Sequence, residues 1–292
     1  QVLADGVIEV FTAVNAMGQG IATSLAQLVV DVFGVPLSQV RIVMGDTDRG
    51  NGFGSAGSRS LFTGGSAVSV GSKQALDKAQ ELAAQALEAA PQDLRYERGA
   101  FHVAGTDLKI GLAELAARQP EQRIEINSKT AAKGPTWPNG CHVCEVELDP
   151  KTGEVQVVAY ASVNDIGRVV NPMIVRGQLD GGAVQGIGQA LLEQVVYDEE
   201  TGQLLTGSLM DYAVPHADIM PAMFDTHTDE SIPCKNNVLG VKGVGELGTI
   251  GATPAVVNAV ADALARHGRG DLAPQLQMPL TPYRLWRLMQ AA

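Results

Sequence analysis

The sequence predicts a mixed α/β fold, of the α+β kind in which mixed sheets carry packed helices, and three observations support it. Runs rich in β-branched residues alternate with helical apolar periodicities along the chain. Two pairs of runs are joined by short turns of hairpin type, so part of the sheet structure is antiparallel. The chain has 292 residues, 45% of them hydrophobic, enough for one large or two ordinary domains with a real core.

The elements follow in order. Residues 6–14 read as a strand. Residues 21–33 place Ile21, Leu25, Leu28 and Val32 on one helical face, and Gly34 ends that helix. Residues 41–44 form a short strand that leaves through Gly45-Asp-Thr-Asp48, and 49–59 form a loop rich in Gly and Ser. Residues 66–90 are a long Ala-rich helix closed by Pro91, and its stretch 74–90 reads as solvated. Residues 92–127 alternate short strand and helix signals. The polar segment 128–140, with two prolines, connects a first lobe, 1–130, to a second, 131–292. In the second lobe, 142–148 and 155–163 pair across Asp149-Pro-Lys-Thr-Gly153, and 172–193 reads as a Gly-containing helix. Residues 194–198 and 204–209 form another hairpin, and 253–267 a helix ended by Gly268. Neither half repeats the other.

Composition excludes several classes. The net charge is −11 and the basic residues are scattered, so no nucleic-acid surface is expected. No uninterrupted apolar run approaches the ~18 residues of a spanning helix, and no secretory signal precedes the first strand. The chain opens at Gln1 and enters a strand almost at once, as a piece of a longer protein would. Three cysteines, Cys141, Cys144 and Cys234, suit a reducing compartment. The expected location is the cytoplasm, with the periplasm as the alternative. Cys141-His-Val-Cys144 lies on a strand that points its sulfurs to opposite faces, so a structural role is expected. His102, His216, His227 and His267 lack metal-ligand spacing, and Asp229-Glu230 reads as a turn.

Glycine is abundant, 33 residues, and gathers in turns that open helices: Gly18-Gln-Gly20, the stretch 55–60, and Gly245-Glu-Leu-Gly-Thr-Ile-Gly251. A fourth cluster, 181–188, lies inside a helix. Glycines let backbone N–H groups approach a ligand, and a helix N-terminus favours a phosphate. Several such turns in an acidic chain suggest a large phosphate-bearing cofactor held mainly by backbone. Taken singly, each could equally be a tight turn or a close helix contact. A dinucleotide-dependent dehydrogenase is disfavoured, because Gly18-Gln-Gly20 lacks the third glycine at the required spacing.

In chain order these segments resemble the molybdopterin-binding large subunits of the xanthine dehydrogenase / aldehyde oxidase family, in their C-terminal portion. The resemblance rests on Met17-Gly-Gln-Gly20, on Gly45-Asp-Thr-Asp48 with Gly57-Ser-Arg-Ser60, on 164–173 leading to Gly177-Gln178 and then 184–188, and on Lys242-Gly-Val-Gly-Glu-Leu-Gly-Thr-Ile-Gly251. It implies a fold that clamps a molybdenum–pterin between domains. It implies that Gly18, Gln19 and Gly20 contact the pterin or its dinucleotide extension, and that Gly57, Ser58, Arg59 and Ser60 hold phosphate or pterin groups. Gln185 would bond the pterin near the metal. Lys242, Gly243 and Gly245 would contact the cofactor from the loop that carries Glu246, the catalytic base, within an apolar surround of Val244, Leu247 and Ile250.

The implied cofactor is molybdopterin cytosine dinucleotide, with molybdenum held by the pterin dithiolene and no protein metal ligand. The implied reaction is oxidative hydroxylation of an aldehyde or an N-heterocycle with oxygen from water. Electrons would leave through iron–sulfur clusters and FAD on partner subunits. The implied partners are the upstream part of the same large subunit, an iron–sulfur subunit and an FAD subunit, assembled as a dimer of heteromers. The isolated piece would be inactive. The alternative is a non-catalytic domain that binds pterin or a partner; Glu246 favours the enzyme, since a pure binding module would not need it.

Overall fold

A computed structural model of the chain describes residues 1–49, 52–131 and 133–290. Residues 50–51 of the expected 49–59 loop, and residue 132 of the expected connection, lie outside the described residues. The described chain divides into two compact units that are discontinuous in sequence.

Unit 1 comprises residues 1–136, 168–171 and 233–243. In chain order it contains β1 (Val2–Leu3), β2 (Ile8–Phe11), α1 (Ile21–Phe33), β3 (Val40–Val43), α2 (Ser66–Ala86), β4 (Leu94–Glu97), β5 (Ala100–Val103), β6 (Lys109–Gly111), α3 (Leu112–Ala117) and β7 (Arg123–Ile124). One sheet has the order β3-β2-β1-β7, the other β4-β5-β6. β2 and β3 run parallel, with α1 as their crossover. Ile21, Leu25, Leu28, Val29 and Phe33 of α1 are buried, and the helix stops where Gly34, at φ 59°, donates its N–H to the Val30 carbonyl.

A π-helical turn, Leu61–Gly65, leads into α2. Its glycines seat the helix closely: a Cβ at Gly64 would come within 2.8 Å of Val14, and one at Gly65 within 3.0 Å of Leu239. α2 ends at Ala86 rather than at residue 90, because Glu88 turns left-handed (φ 51°) and the Ala89 N–H folds back to the Ala84 carbonyl. The expectation that residues 74–90 are solvated also needs correction. Val68, Ser72, Ala75, Ala79 and Ala83 are buried at helical spacing, so the alanines are the small residues of a core-facing stripe.

Unit 2 comprises residues 137–167, 172–232 and 244–292. It contains β8 (Asn139–Leu148), β9 (Val155–Asp165), α4 (Pro172–Leu191), β10 (Met223–Asp229), α5 (Leu247–Arg266) and α6 (Pro282–Gln290). β8 and β9 are antiparallel, and their turn is closed by Asp149, whose Oδ1 accepts the Lys151 N–H at 2.8 Å, and by Gly153 at φ 76°. β10 adds parallel to β9 and gives the order β10-β9-β8. This strand was not expected: Met223-Phe-Asp-Thr-His-Thr-Asp229 offers little apolar alternation, and Phe224, stacked on Tyr160 at 5.2 Å, supplies its inward anchor. Instead of the expected hairpin over 194–209, the described residues show a single bridge, Tyr197 to Leu204.

One sheet face carries Cys144, Val146, Leu148, Val155, Val157 and Tyr160 into a core shared with α4 and α5. The two helices meet through small residues. A Cβ on Gly186 would reach 2.7 Å from the Ala252 Cβ, one on Gly182 would lie 3.1 Å from the Gly248 backbone, and one on Gly248 would overlap the Leu179 carbonyl. The glycines of 181–188 therefore include close helix contacts.

α5 begins at Leu247, six residues before the expected Thr253. Pro254, which looks like an N-terminal marker, lies inside it, and Gly248 and Ala252 hold the earlier turn against α4. By length and composition α5 could cross a membrane, although Thr, Asn and Asp interrupt any apolar run. Its seam of Gly248, Ala252, Val256, Val260 and Leu264 is buried at intervals of one turn, which accounts for the apolar composition.

Candidate cofactor site

In unit 1 three loops distant in sequence converge. The Asn15 N–H donates to Ser55 Oγ at 2.8 Å, and Ser55 Oγ donates back to the Asn15 carbonyl at 3.0 Å, so the loop before α1 is tied to the loop before α2. Gly243 packs against Ser58: a Cβ there would come within 2.7 Å of the Ser58 carbonyl oxygen. This brings Lys242-Gly243 to the 57–60 loop.

Asn237 holds the turn leading to that segment. Its Nδ2 donates to the Val241 carbonyl at 2.8 Å, and its Oδ1 accepts the Leu239 and Val241 N–H groups at 3.1 and 3.3 Å. Sequence reasoning missed Asn237, Asn15 and Ser55 as organisers; an Asn followed four residues later by a returning strand-like segment was the available signal.

Gly18 (φ 92°) and Gly20 (φ 75°) both lie in the left-handed region, and among the described residues a Cβ on Gly18 would meet nothing within 4 Å. Gly20 caps α1 without a side-chain hydrogen bond, so the first-turn amides of the helix point outward without a side-chain cap. Gln19 bends over its own loop: Oε1 accepts the Met17 N–H and Nε2 donates to the Asn15 carbonyl, both at 2.8 Å. Among the described residues the second amide proton has no acceptor and is available to a ligand. Gly57 and Ser58 are both left-handed, at φ 59° and 55°. Arg59 stacks over the Phe53 ring at 4.2 Å and is exposed, and Ser60 is half-buried at the start of the π-helical turn.

In unit 2, Gln185 is exposed on α4 and lines a cavity of about 320 Å³ with Gln189, Glu193, Val195, Tyr212 and Thr249. Tyr212 donates to Glu193 at 3.0 Å, and Thr253 on α5 donates to Gln189 at 3.1 Å, so this rim is built from both helices. Glu246 is the N-cap of α5 and is exposed, as is Gly245. The apolar surround expected for Glu246 does not form: Leu247 turns into the core, while Ile250 is 67% exposed. The chain passes from unit 1 to unit 2 between Gly243 and Val244, so Lys242 and Gly243 belong to unit 1 and Gly245 and Glu246 to unit 2. Among the described residues, no group of three or more His, Cys, Asp or Glu side chains is placed to hold a metal ion.

Residues 1–221 match the molybdopterin cofactor-binding domain. The chain belongs to this family. Its members among known proteins are large subunits of molybdenum hydroxylases. The chain is 37% identical over 295 residues to the gamma subunit of the 6-hydroxypseudooxynicotine dehydrogenase complex of Paenarthrobacter nicotinovorans, covering 98% of this chain and 36% of that one. It is 34% identical to the carbon monoxide dehydrogenase large chain of Hydrogenophaga pseudoflava, covering 94% and 34%. Among solved structures, quinoline 2-oxidoreductase from Pseudomonas putida 86 superposes with a TM-score of 0.83 at 36% identity, over 99% of this chain and 37% of that one. The mixed α/β fold is thus the family's, and the chain spans about a third of the length of these relatives.

The donor set fits a phosphate-bearing pterin. The Gly18 site is open on its Cβ side, the N-terminus of α1 lacks a side-chain cap, and the 57–60 loop is left-handed with hydroxyl and guanidinium donors beside it. Such a set binds an anion through backbone N–H groups without requiring net positive charge.

Proposed function

We propose that this chain is the part of a molybdenum hydroxylase large subunit that holds molybdopterin cytosine dinucleotide and presents Glu246 as the base. The observation that carries the reading is the convergence in unit 1 of the 15–20, 55–60 and 242–243 loops through Asn15–Ser55 and Gly243–Ser58. When bound, the cofactor supplies the two-electron oxidation and the oxygen-transfer chemistry. Gly18 and Gly20 open the backbone to the anionic extension, and Gln19, with Arg59, Ser58 and Ser60, adds directed donors. Lys242 and Gly243 complete the unit 1 loops. Gln185 would bond the pterin, and Gly245 leaves room beside Glu246, whose carboxylate oxygen accepts a proton in the transition state.

The substrate we favour is an aromatic N-heterocycle oxidised at a ring carbon, with aldehydes second. Support comes from relatives named for such compounds: nicotine 6-hydroxylase of Paenarthrobacter nicotinovorans at 36% identity and quinoline 2-oxidoreductase at 36%. The partners are the remainder of the large subunit, an iron–sulfur subunit and an FAD subunit, in a dimer of heteromers located in the cytoplasm. The test is cofactor analysis of the complete native subunit. Acid treatment should release a pterin and CMP, with about one molybdenum per large subunit. Stoichiometric nicotinamide nucleotide in place of pterin would overturn the proposal, and full-length protein loaded with cofactor but inert towards heterocycles and aldehydes would favour a binding role.

A further inference from the structure

The core-facing side of the β8–β9 ladder changes character along its length. It is apolar at Val146, Leu148, Val155 and Val157, and polar at the other end, where Gly140 pairs with Asn164, His142 with Ser162 and Cys144 with Tyr160. Asn164, Tyr160 and Ser162 are buried there. Buried polar groups are kept only when satisfied, and these are satisfied in one way.

Asn164 Nδ2 donates to Ser162 Oγ at 3.0 Å and to the His227 carbonyl at 3.2 Å. A carbonyl cannot donate, so the amide cannot be reversed, and Oδ1 faces His142 Nε2 at 3.2 Å. The proton of that bond therefore sits on Nε2. In the neutral ring Nδ1 is then the acceptor of a hydrogen bond from the Tyr160 hydroxyl. The ring is thus held from both sides as the neutral Nε2–H tautomer. A Cβ on Gly140 would come within 3.0 Å of Asn164 Oδ1, so glycine leaves room for this bond.

The second turn of α5 rests on this ring. A Cβ on Gly251 would overlap Nδ1, Cγ and Cε1 of His142. Elsewhere the same part of the helix is held by Gly248 against Leu179 and Ala183, and by Ala252 against Gly186. Glu246, the N-cap, lies five residues before Gly251 on the same rigid element.

We propose that His142 is a positioning residue: locked by Tyr160 and Asn164, its ring is the seat of the second turn of α5, and the height of that seat sets where the helix presents Glu246. The inference rests on the reading of Glu246 as the base. Displacing a reacting group by about 1 Å can cost on the order of 10²-fold in rate without contact with substrate.

The test uses the complete holoenzyme with Tyr160→Phe, Gly251→Ala, His142→Ala/Gly251→Ala and Glu246→Gln. Tyr160→Phe keeps the ring stacked on Phe224 but removes the partner of His142 Nδ1, so the imidazole is held from one side only. It should lower kcat on the order of 10-fold, leave KM and molybdenum content near wild type, and raise amide hydrogen exchange over residues 246–252. Gly251→Ala should lower kcat further, and the double variant should recover part of that loss, because removing the ring makes room for the new methyl. Unchanged kcat and exchange in Tyr160→Phe, or a double variant no better than Gly251→Ala, would overturn the seat. Normal turnover in Glu246→Gln would instead overturn the base reading. In that case raised exchange in Tyr160→Phe, together with rescue in the double variant, would still uphold the seat.

Discussion

The Gly243 backbone lies against Ser58 with no room for a side chain, since a Cβ would come within 2.7 Å of the Ser58 carbonyl and 2.8 Å of its Cβ. This contact joins segments 185 residues apart, and the neighbour it meets is backbone as well as side chain. Gly243→Ala should therefore push the 57–60 loop away from the other loops of unit 1. We expect molybdenum and pterin content of the complete subunit to fall. Full occupancy in Gly243→Ala would count against this contact shaping the site.

Gln185 and Ser58 test individual donors. Truncating either to Ala should remove one hydrogen bond to a bound cofactor, worth roughly 1–3 kcal/mol where its partner is left unpaired. Gln185 is exposed on α4 and outside the α4–α5 seam, so its loss should lower occupancy without unfolding unit 2. Occupancy unchanged in both variants would remove these positions from the site.

The α4–α5 seam makes a stability prediction of the opposite kind. A Cβ on Gly186 would lie 2.7 Å from the Ala252 Cβ and 3.0 Å from both the Thr249 carbonyl oxygen and the Thr253 nitrogen, where backbone cannot move aside cheaply. Gly186→Val should destabilise unit 2 by about 1–3 kcal/mol or more through overpacking. Urea unfolding followed by circular dichroism would measure it. A change below about 0.5 kcal/mol, the usual range for surface positions, would mean the helices can separate freely.

Much of the architecture was legible because period and punctuation agreed. α1 starts and stops where Ile21 and Gly34 predict, and the Asp149–Gly153 turn places β8 beside β9. The errors came from tertiary contacts overriding local signals. Pro254 suggested a helix start, but the Gly248 contact with α4 extends α5 back to Leu247. Phe224 is the inward apolar anchor of β10, too weak a pattern to announce a strand. For the candidate site, the glycine loops could be found by eye, but spacing alone could not separate a ligand-facing glycine such as Gly18 from a packing glycine such as Gly186. His142 was hidden within Cys141-His-Val-Cys144, where the cysteines drew attention and the partners Tyr160 and Asn164 lie on the next strand.

His142 also predicts a pH dependence of stability. Burial holds its proton affinity below the ordinary histidine value of about 6.5, opposed in part by the bond to Asn164. Around it, burial pushes the Tyr160 hydroxyl up and the Cys144 thiol up to about 11, so both stay neutral at moderately acid pH. With the folded value lowered, the unfolded chain binds more protons once the pH drops below about 6.5. The contribution is then fully present above about 6.5 and is lost as pH falls towards the folded value. Urea midpoints should decline as the pH falls below about 6.5, and His142→Gln should flatten that decline. An equal slope in both proteins would mean that His142 does not titrate in this window.

Glu246 offers the sharpest test. It is the N-cap of α5 and exposed, the acid of the Lys242–Gly251 segment, with Gly248 behind it committed to packing on α4. Replacing it leaves in place the packing of Gly248 on α4 and of Gly251 on His142. A base acts mainly in the transition state, so its loss lowers turnover far more than it weakens cofactor binding. General-base catalysis contributes about 10²–10⁴-fold, and Glu246→Gln keeps the shape while removing the proton acceptor. In the complete enzyme kcat should fall at or beyond the upper end of that range, with molybdenum, pterin and the thermal transition near wild type. Glu246→Asp should recover only part of the rate, because the shorter side chain keeps the acceptor but withdraws it by one methylene. Normal turnover in a cofactor-replete Glu246→Gln enzyme would exclude this carboxylate as the base.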